Sequence, residues 1–437
     1  MKALILALAL TAPVDSLPDL GHPWDLQECV DWALEHNLTV AQQEISARVK
    51  AVDENTARWS WLPGASADIS QNWSFGRGIG GNNTYEKGTT ATTSFTVGAN
   101  MTLFDGLATP NRIKLARLDL EAATEDLEKA RDDIRVAVAK AYVQILYNEE
   151  IADVAAEQVR IDSLQTVRLE GMQEVGRASA ADVSQQKASL AQSRVTWIQA
   201  QNNVRTSLLE MAQLLEIPSW EDFSVVRPVI DNLQEVYLGN PDDIYAEAEG
   251  LRPAIRAEKK RLEGTDYSIR IAQSAYYPRL SLNAGVGTNY YSSFPGVSFW
   301  NQLGTNFSQY VGLSLSIPIF NKFSTRNQVR SARLQQTSQR MQLRRVQQSL
   351  YKEIQQAWNA AVAAKAKHQA SLEAALAADD AFQLTQAKYE NGKATVTEFS
   401  EARNRLMKAR SDSVQATYEY LFQTSLVEFY RGGKLSL

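Results

Sequence analysis

The sequence predicts a mainly α-helical chain with transmembrane β strands, written as an internal tandem duplication. Three observations carry this. Long stretches free of Pro and Gly step their apolar residues by three and four, four short segments alternate apolar with small polar residues, and the second half of the chain repeats the first. The 437 residues hold 45 Lys+Arg against 50 Asp+Glu, a net charge of −5. That balance argues against nucleic-acid binding, which needs a basic face to neutralise phosphates. Apart from residues 3–10, no apolar run approaches the ~20 residues of a membrane-spanning helix. A single Cys excludes a disulfide framework or CxxC motif, and three distant His (His22, His36, His368) leave little for a metal site. No cofactor is expected.

Residues 1–12 read as a signal peptide: Met1-Lys2 supplies a positive start and Ala3 to Leu10 a short apolar core. No clean small-x-small cleavage site follows. Cys29 superficially fits a lipid-attachment box, but it lies well beyond the apolar stretch and follows Glu28, so a small buried helix residue is the favoured reading.

The repeat is read next. Ala116-Arg117-Leu118 falls on Ala332-Arg333-Leu334, Ala141-Tyr142 on Ala357-Trp358, and Gly176-Arg177 on Gly392-Lys393, all at an offset of 216; upstream, Pro63 falls on Pro278 at 215. The first repeat spans 26–215, the second 241–430, with a linker over 216–240 punctuated by Pro218 and Pro228 and a tail over 431–437. In the first repeat the order is a helix near 26–58, strands over 64–76 and 92–104, a long helix over 111–170 and a helix over 180–215. In the second it is a helix, strands over 279–291 and 309–320, a long helix over 324–389 and a helix over 396–430.

Residues 111–170 hold no Pro or Gly, and Leu120, Ala123, Leu127, Ala130, Ile134, Val138, Ala141 and Ile145 step by three and four with one stutter, the mark of a coiled-coil seam. A helix of about 60 residues is about 90 Å long. In the strands, Val311, Leu313, Leu315, Ile317 and Ile319 point one way while Gly312, Ser314 and Ser316 point the other; Phe95, Val97, Ala99, Met101 and Leu103 alternate likewise with Ser, Thr, Gly and Asn. Apolar-out, polar-in alternation is what a water-filled barrel wall needs. A soluble sheet with one buried face alternates in the same way, although its exposed face usually carries Lys and Glu. Aromatics at the strand ends, Trp59, Trp61, Trp73, Tyr276, Tyr277 and Tyr290, fit interfacial girdles. Four strands cannot close, and lipid tolerates no open edge, so other copies of the chain must complete the barrel; three copies give twelve strands.

With these residues in view the chain resembles the TolC-like outer membrane efflux family. The resemblance covers the duplication, the Trp61-Leu62-Pro63 and Tyr276-Tyr277-Pro278 approaches to each hairpin, the Phe104-Asp105-Gly106 exit and the paired Gly176 and Gly392 turns. It implies a homotrimer: a twelve-stranded β-barrel in the outer membrane of a Gram-negative bacterium, continuous with a long α-helical periplasmic barrel. It further implies a passive exit duct in contact with outer membrane lipid, docked by a periplasmic adaptor protein and powered by an inner-membrane transporter. In the family, acids matching Glu398 and Glu401 ring the closed aperture, and Asp182 matches a position that helps latch the entrance against a tyrosine, here Tyr389. The family's latch arginine is here Ala394, with Lys393 beside it. Asp182 and Glu398 also read as ordinary first-turn acids stabilising helix N-termini. Gly176 and Gly392 mark positive-φ turns, and with Arg177 and Lys393 they are the tips an adaptor hairpin would meet.

Two function classes stand against the duct: a coiled-coil structural or surface protein with a small β head, and an enzyme. The sequence has no Gly-rich phosphate loop, nucleophile elbow or HExxH motif, so no catalytic site is expected.

Overall fold

The computed structural model describes residues 21–79, 84–218, 220–228, 237–293 and 296–435. The signal peptide read over 1–12 lies outside them, as do parts of the linker and of the C-terminal tail. The chain forms two compact units: one of Ile45–Asp126 and Ala254–Val346, the other of Met1–Glu44, Leu127–Pro253 and Gln347–Leu437.

The first of these units holds the sheet. Strands β1 (Gly64–Ile79), β2 (Tyr85–Phe104), β3 (Arg279–Tyr291) and β4 (Ser308–Ser316) are antiparallel, in the spatial order β1-β2-β3-β4. Their registers put like residues side by side. Ala99 pairs with Ala65 and Ala284, and Ala284 with Val311; Met101 pairs with Leu282, and Leu282 with Leu313. On the opposite face Asn100 pairs with Asn283, donating from its side-chain amide at 3.2 Å, and Thr102 and Ser314 flank Ser281. β1 and β4 have one neighbour each, so both outer edges of the sheet carry an unpaired ladder. The apolar face is uncovered: Ile69, Val97, Val311, Leu313 and Leu315 are all exposed.

Two strands run past the expected bounds, β1 to Ile79 and β2 from Tyr85. β4 stops short. The alternation reaches Ile319, but pairing ends at Ser316, just ahead of Pro318, which has no N–H for a ladder. Between β3 and β4 lies a short helix, α7 (Phe299–Thr305), not expected from the sequence. Its Gln302 is buried, donating to Tyr291 O at 3.1 Å and accepting from Tyr291 N at 2.9 Å, so one side chain replaces a missing strand partner.

The exit from β2 shows why Phe104-Asp105-Gly106 is written there. Asp105 is buried and accepts from Thr109 N at 3.0 Å and from the Thr109 hydroxyl at 2.7 Å, capping the long helix α3 (Ala108–Glu174). Gly106 sits at φ +67°, and a Cβ there would lie 2.6 Å from Ser274 O. The second repeat opens its long helix α8 (Ser324–Glu390) without glycine: Lys322 and Phe323 adopt φ 55° and 62°.

The remaining elements are helices, shared between the two units. The helix expected over 26–58 is two helices, α1 (Leu26–His36) and α2 (Leu38–Trp59), broken at Asn37 in an extended conformation. The same break recurs 215 residues on, where Arg252 separates α5 (Pro241–Leu251) from α6 (Pro253–Ser274). The causes differ. Pro253 excludes Arg252 from the helical region, whereas the Asn37 side chain accepts from Thr39 N at 2.9 Å and donates to Leu214 O at 2.9 Å. Two further helices, α4 (Ala180–Leu214) and α9 (Val396–Tyr430), follow the long ones. The core gathers Cys29 and Val30 from α1, Ile145 and Leu146 from α3 and Met211 from α4. Cys29 is fully buried inside α1, and burial pushes its thiol pKa up to about 12. The seam positions Leu127, Ala130, Ile134, Val138 and Ile145 of α3 are all buried.

Gly106 and Gly176 separate two costs. Gly176 has φ +73° with nothing near a built Cβ. Gly176→Ala is expected to lose only the left-handed backbone penalty, about 1–2 kcal/mol, and Gly106→Ala distinctly more because Ser274 O stands in the way. Helical melting of the detergent-solubilised variants by circular dichroism should rank them in that order; equal midpoints would refute the packing argument.

Candidate functional site

The residues singled out by sequence lie at two helix-to-helix turns built alike. At the end of α3, Gly176 N donates to Gln173 O at 2.9 Å and Arg177 N to Met172 O at 2.7 Å; at the end of α8, Gly392 N donates to Tyr389 O at 3.0 Å and Lys393 N to Lys388 O at 2.8 Å. Both are Schellman closures with the glycine at positive φ, +73° and +70°. Arg177 and Lys393 are exposed at the tips. Each following helix opens with a reciprocal capping box, Ser179 with Asp182 and Thr395 with Glu398.

The candidate acids are therefore engaged locally. Asp182 accepts from the Ser179 hydroxyl at 2.6 Å, and Glu398 accepts from Thr395 N at 2.7 Å and its hydroxyl at 3.0 Å. Hydrogen bonds from the Thr395 backbone and hydroxyl hold the exposed Glu398 carboxyl below the usual range. Glu401, one turn further on, is exposed and lies 3.5 Å from Arg405. Tyr389 is half-buried; its ring stacks on Phe399 at 4.9 Å, the Arg168 guanidinium stands 5.7 Å over it, and its hydroxyl accepts from Gln165 at 2.7 Å. Asp182 is near enough to raise the Tyr389 pKa, adding to the larger effect of burial, but the tyrosine's hydrogen bond goes to Gln165. Ala394, two residues after Gly392, brings no charge.

Behind these turns is a site the sequence reading missed. Asp162 of α3 and Arg403 of α9 form an ion pair at 0% and 2% side-chain exposure. Asp162 also accepts from Gln186 at 3.1 Å, from Gln158 at 2.9 Å and from the Ser193 hydroxyl. One carboxylate thus ties three helices, α3, α4 and α9. Burial pushes the Arg403 pKa down and the facing Asp162 opposes it; the guanidinium remains charged. Its Nε is buried without a hydrogen-bond partner, as is Gln186 Oε1. The signal was legible in principle: Ala155, Asp162 and Leu169 follow one another at seven-residue steps, and Phe399, Arg403 and Leu406 at four and three, so each charge occupies a seam position.

A four-stranded sheet with an uncovered apolar face, joined to helices of 67 residues, defines the TolC-like class of outer membrane channel. The profile of the outer membrane efflux protein family matches residues 30–215 and again 244–428, and the chain belongs to that family. The chain is 24% identical over 329 residues to the outer membrane efflux protein BepC of Brucella suis, covering 75% of this chain and 70% of the relative. It is 24% identical over 407 residues to the protein CyaE of Bordetella pertussis, covering 92% and 82%. The fold matches that of the outer membrane protein VceC of Vibrio cholerae with a TM-score of 0.77 at 18% identity, over 94% of this chain and 97% of that one. The family is one of transport conduits. Among the described residues no helix is long and apolar enough to cross a membrane.

Breaking the buried pair from one side should be costly. Asp162→Asn or Arg403→Met alone strands the other partner and should destabilise by about 3–5 kcal/mol, whereas Asp162→Leu with Arg403→Met should recover most of it. Thermal melting of the helical signal in detergent checks both, and additive losses in the double variant would dismiss the pair as a unit.

Proposed function

We propose that the chain is the passive exit duct of a tripartite efflux or type I secretion system, acting as a homotrimer in the outer membrane. The observation that carries this is the sheet with two unpaired edges and an exposed apolar face. Hydrocarbon gives unpaired N–H and C=O groups no partner, so the β1 edge of one copy must meet the β4 edge of the next. Three copies close twelve strands, wide enough for a lumen. A structural rod with a small β head has no use for that edge, and membership of an efflux family weighs against it.

The turns are assigned to the periplasmic end. Gly176, Arg177, Gly392 and Lys393 form two like-shaped, positively charged tips for a periplasmic adaptor, which couples the duct to an inner-membrane transporter. Asp182, Glu398 and Glu401 supply carboxylates around the aperture, with Tyr389 packed beside them. Capping does not remove the charge of Glu398; it keeps the group ionised to lower pH. The exposed pairing of Glu401 with Arg405 is worth little and leaves its field in the pore. With Ala394 in place of the arginine, the buried Asp162–Arg403 pair takes over the latch and holds α9 against α3 and α4.

Membrane fractionation tests the duct: a heat-modifiable trimer in the outer membrane is expected, and a soluble periplasmic rod would overturn it. In planar bilayers Glu398→Ala with Glu401→Ala should weaken cation selectivity and block by multivalent cations, while unchanged selectivity removes these carboxylates from the mechanism. The pH dependence has a definite sign. A carboxyl with a depressed pKa contributes its charge, and its share of cap stability, above the ordinary Glu range and loses both as pH falls through the depressed value. Thr395→Val removes the hydroxyl bond, so Glu398 should lose its charge, and the pore its selectivity, at higher pH than in the parent.

A further inference from the structure

Within the unit that carries the sheet, a cavity of ≈ 1270 Å³ opens where the strands give way to helices. Three elements wall it: the start of α3, the end of α6 and the start of α8. Five cations line it, Lys114, Arg270, Arg326, Arg330 and Arg333, and no carboxylate does. Arg326, Arg330 and Arg333 are spaced i, i+4, i+7, so they share one face of α8. All three are exposed, and none has an ion-pair partner among the described residues. Lys114 and Arg270 stand over the ring of Tyr267 at 5.7 and 5.1 Å.

The duplication supplies a control. The residues of the first repeat that correspond to Arg326, Arg330 and Arg333 are Pro110, Lys114 and Arg117, and there Arg117 pairs with Glu121 at 3.2 Å. In α8 no Asp or Glu occurs before Glu353. The second repeat has thus gathered cations at this level without the acids that would neutralise them. Mutually repelling guanidinium groups around one space favour an anion among them, and the planar fork of Arg matches the oxygens of phosphate. The level is set by the strands: exposed Tyr276 and Tyr277 just precede β3, exposed Phe323 follows β4, and all three line the cavity. Aromatics of this kind sit at headgroup depth.

We infer that this cavity binds the phosphate of lipid headgroups in the leaflet where the strands end, with Arg326, Arg330 and Arg333 taking the phosphate oxygens and Lys114 and Arg270 completing the positive lining. The inference rests on the reading of the strands as membrane-spanning. It is tested on the full chain, purified in detergent, by native mass spectrometry with added phosphatidylglycerol and, separately, inorganic phosphate. The triple variant R326Q/R330Q/R333Q should bind phosphatidylglycerol about ten-fold more weakly, the triple Arg→Lys variant should retain most of the affinity, and R340Q/R344Q, on the same helix beyond the cavity, should match the parent. Equal binding by the triple Gln variant overturns the inference. So does phosphate binding without lipid binding, which marks a free-ion site, and so does loss of the trimer in the triple variant, which marks an interface between copies. A parent chain absent from the outer-membrane fraction rejects the channel reading and this inference together, whereas a parent that inserts while the substitutions change nothing rejects the inference alone.

Discussion

A sheet edge presents a row of N–H and C=O groups, and in hydrocarbon each one left unpaired costs several kcal/mol. The four strands of this chain carry two such edges, one on β1 and one on β4. The apolar rows running across the registers, Ala65, Ala99, Ala284 and Val311 among them, suit lipid on one side, while the rows of Asn, Thr, Ser and Gly suit water on the other. In hydrocarbon a single copy can satisfy neither edge, so the need to pair both follows from backbone chemistry before any side chain is considered.

The same economy governs the junctions. Where β2 becomes α3, Asp105 caps the helix while Gly106 turns the chain through a conformation closed to a side chain by Ser274 O. Where α3 becomes α4, a Schellman closure runs directly into a capping box, so orphan carbonyls and orphan amides are satisfied within a few residues. The long helices need little from their ends beyond this, because their stability comes from the buried seam.

Much of this was legible in the sequence because it is periodic or local. The bounds of β3, α8 and α9 follow from alternation and from turn residues, and the pair of positive-φ glycines from their sequence context. Departures occur where one residue outweighs a pattern. Pro318 ends β4 although the apolar alternation continues, and Asn37 breaks a helix through bonds to Leu214 and Thr39 that no local propensity foretells. α7 is too short for periodicity to register. The first-turn acids Asp182 and Glu398 were identifiable as helix-opening residues, and the structure places them in capping boxes. For Asp162 and Arg403 the sequence marks each as a charge at a seam position but not that they meet, because the two residues lie 241 positions apart.

That buried pair bears on how a chain of two like halves assembles. The repeats share lengths, turns and caps closely enough that either hairpin could in principle occupy the other's place. They do not share these charges: the counterpart of Asp162 is Ala378, and the counterpart of Arg403 is Lys187, which pairs instead with Glu170 at 2.8 Å. A chain built of two second repeats would leave the buried guanidinium facing the methyl of an alanine, and one built of two first repeats would offer Asp162 a lysine in place of the arginine. A single ion pair therefore binds two unlike repeats to each other, penalising a pairing of like halves far more than it strengthens the native one.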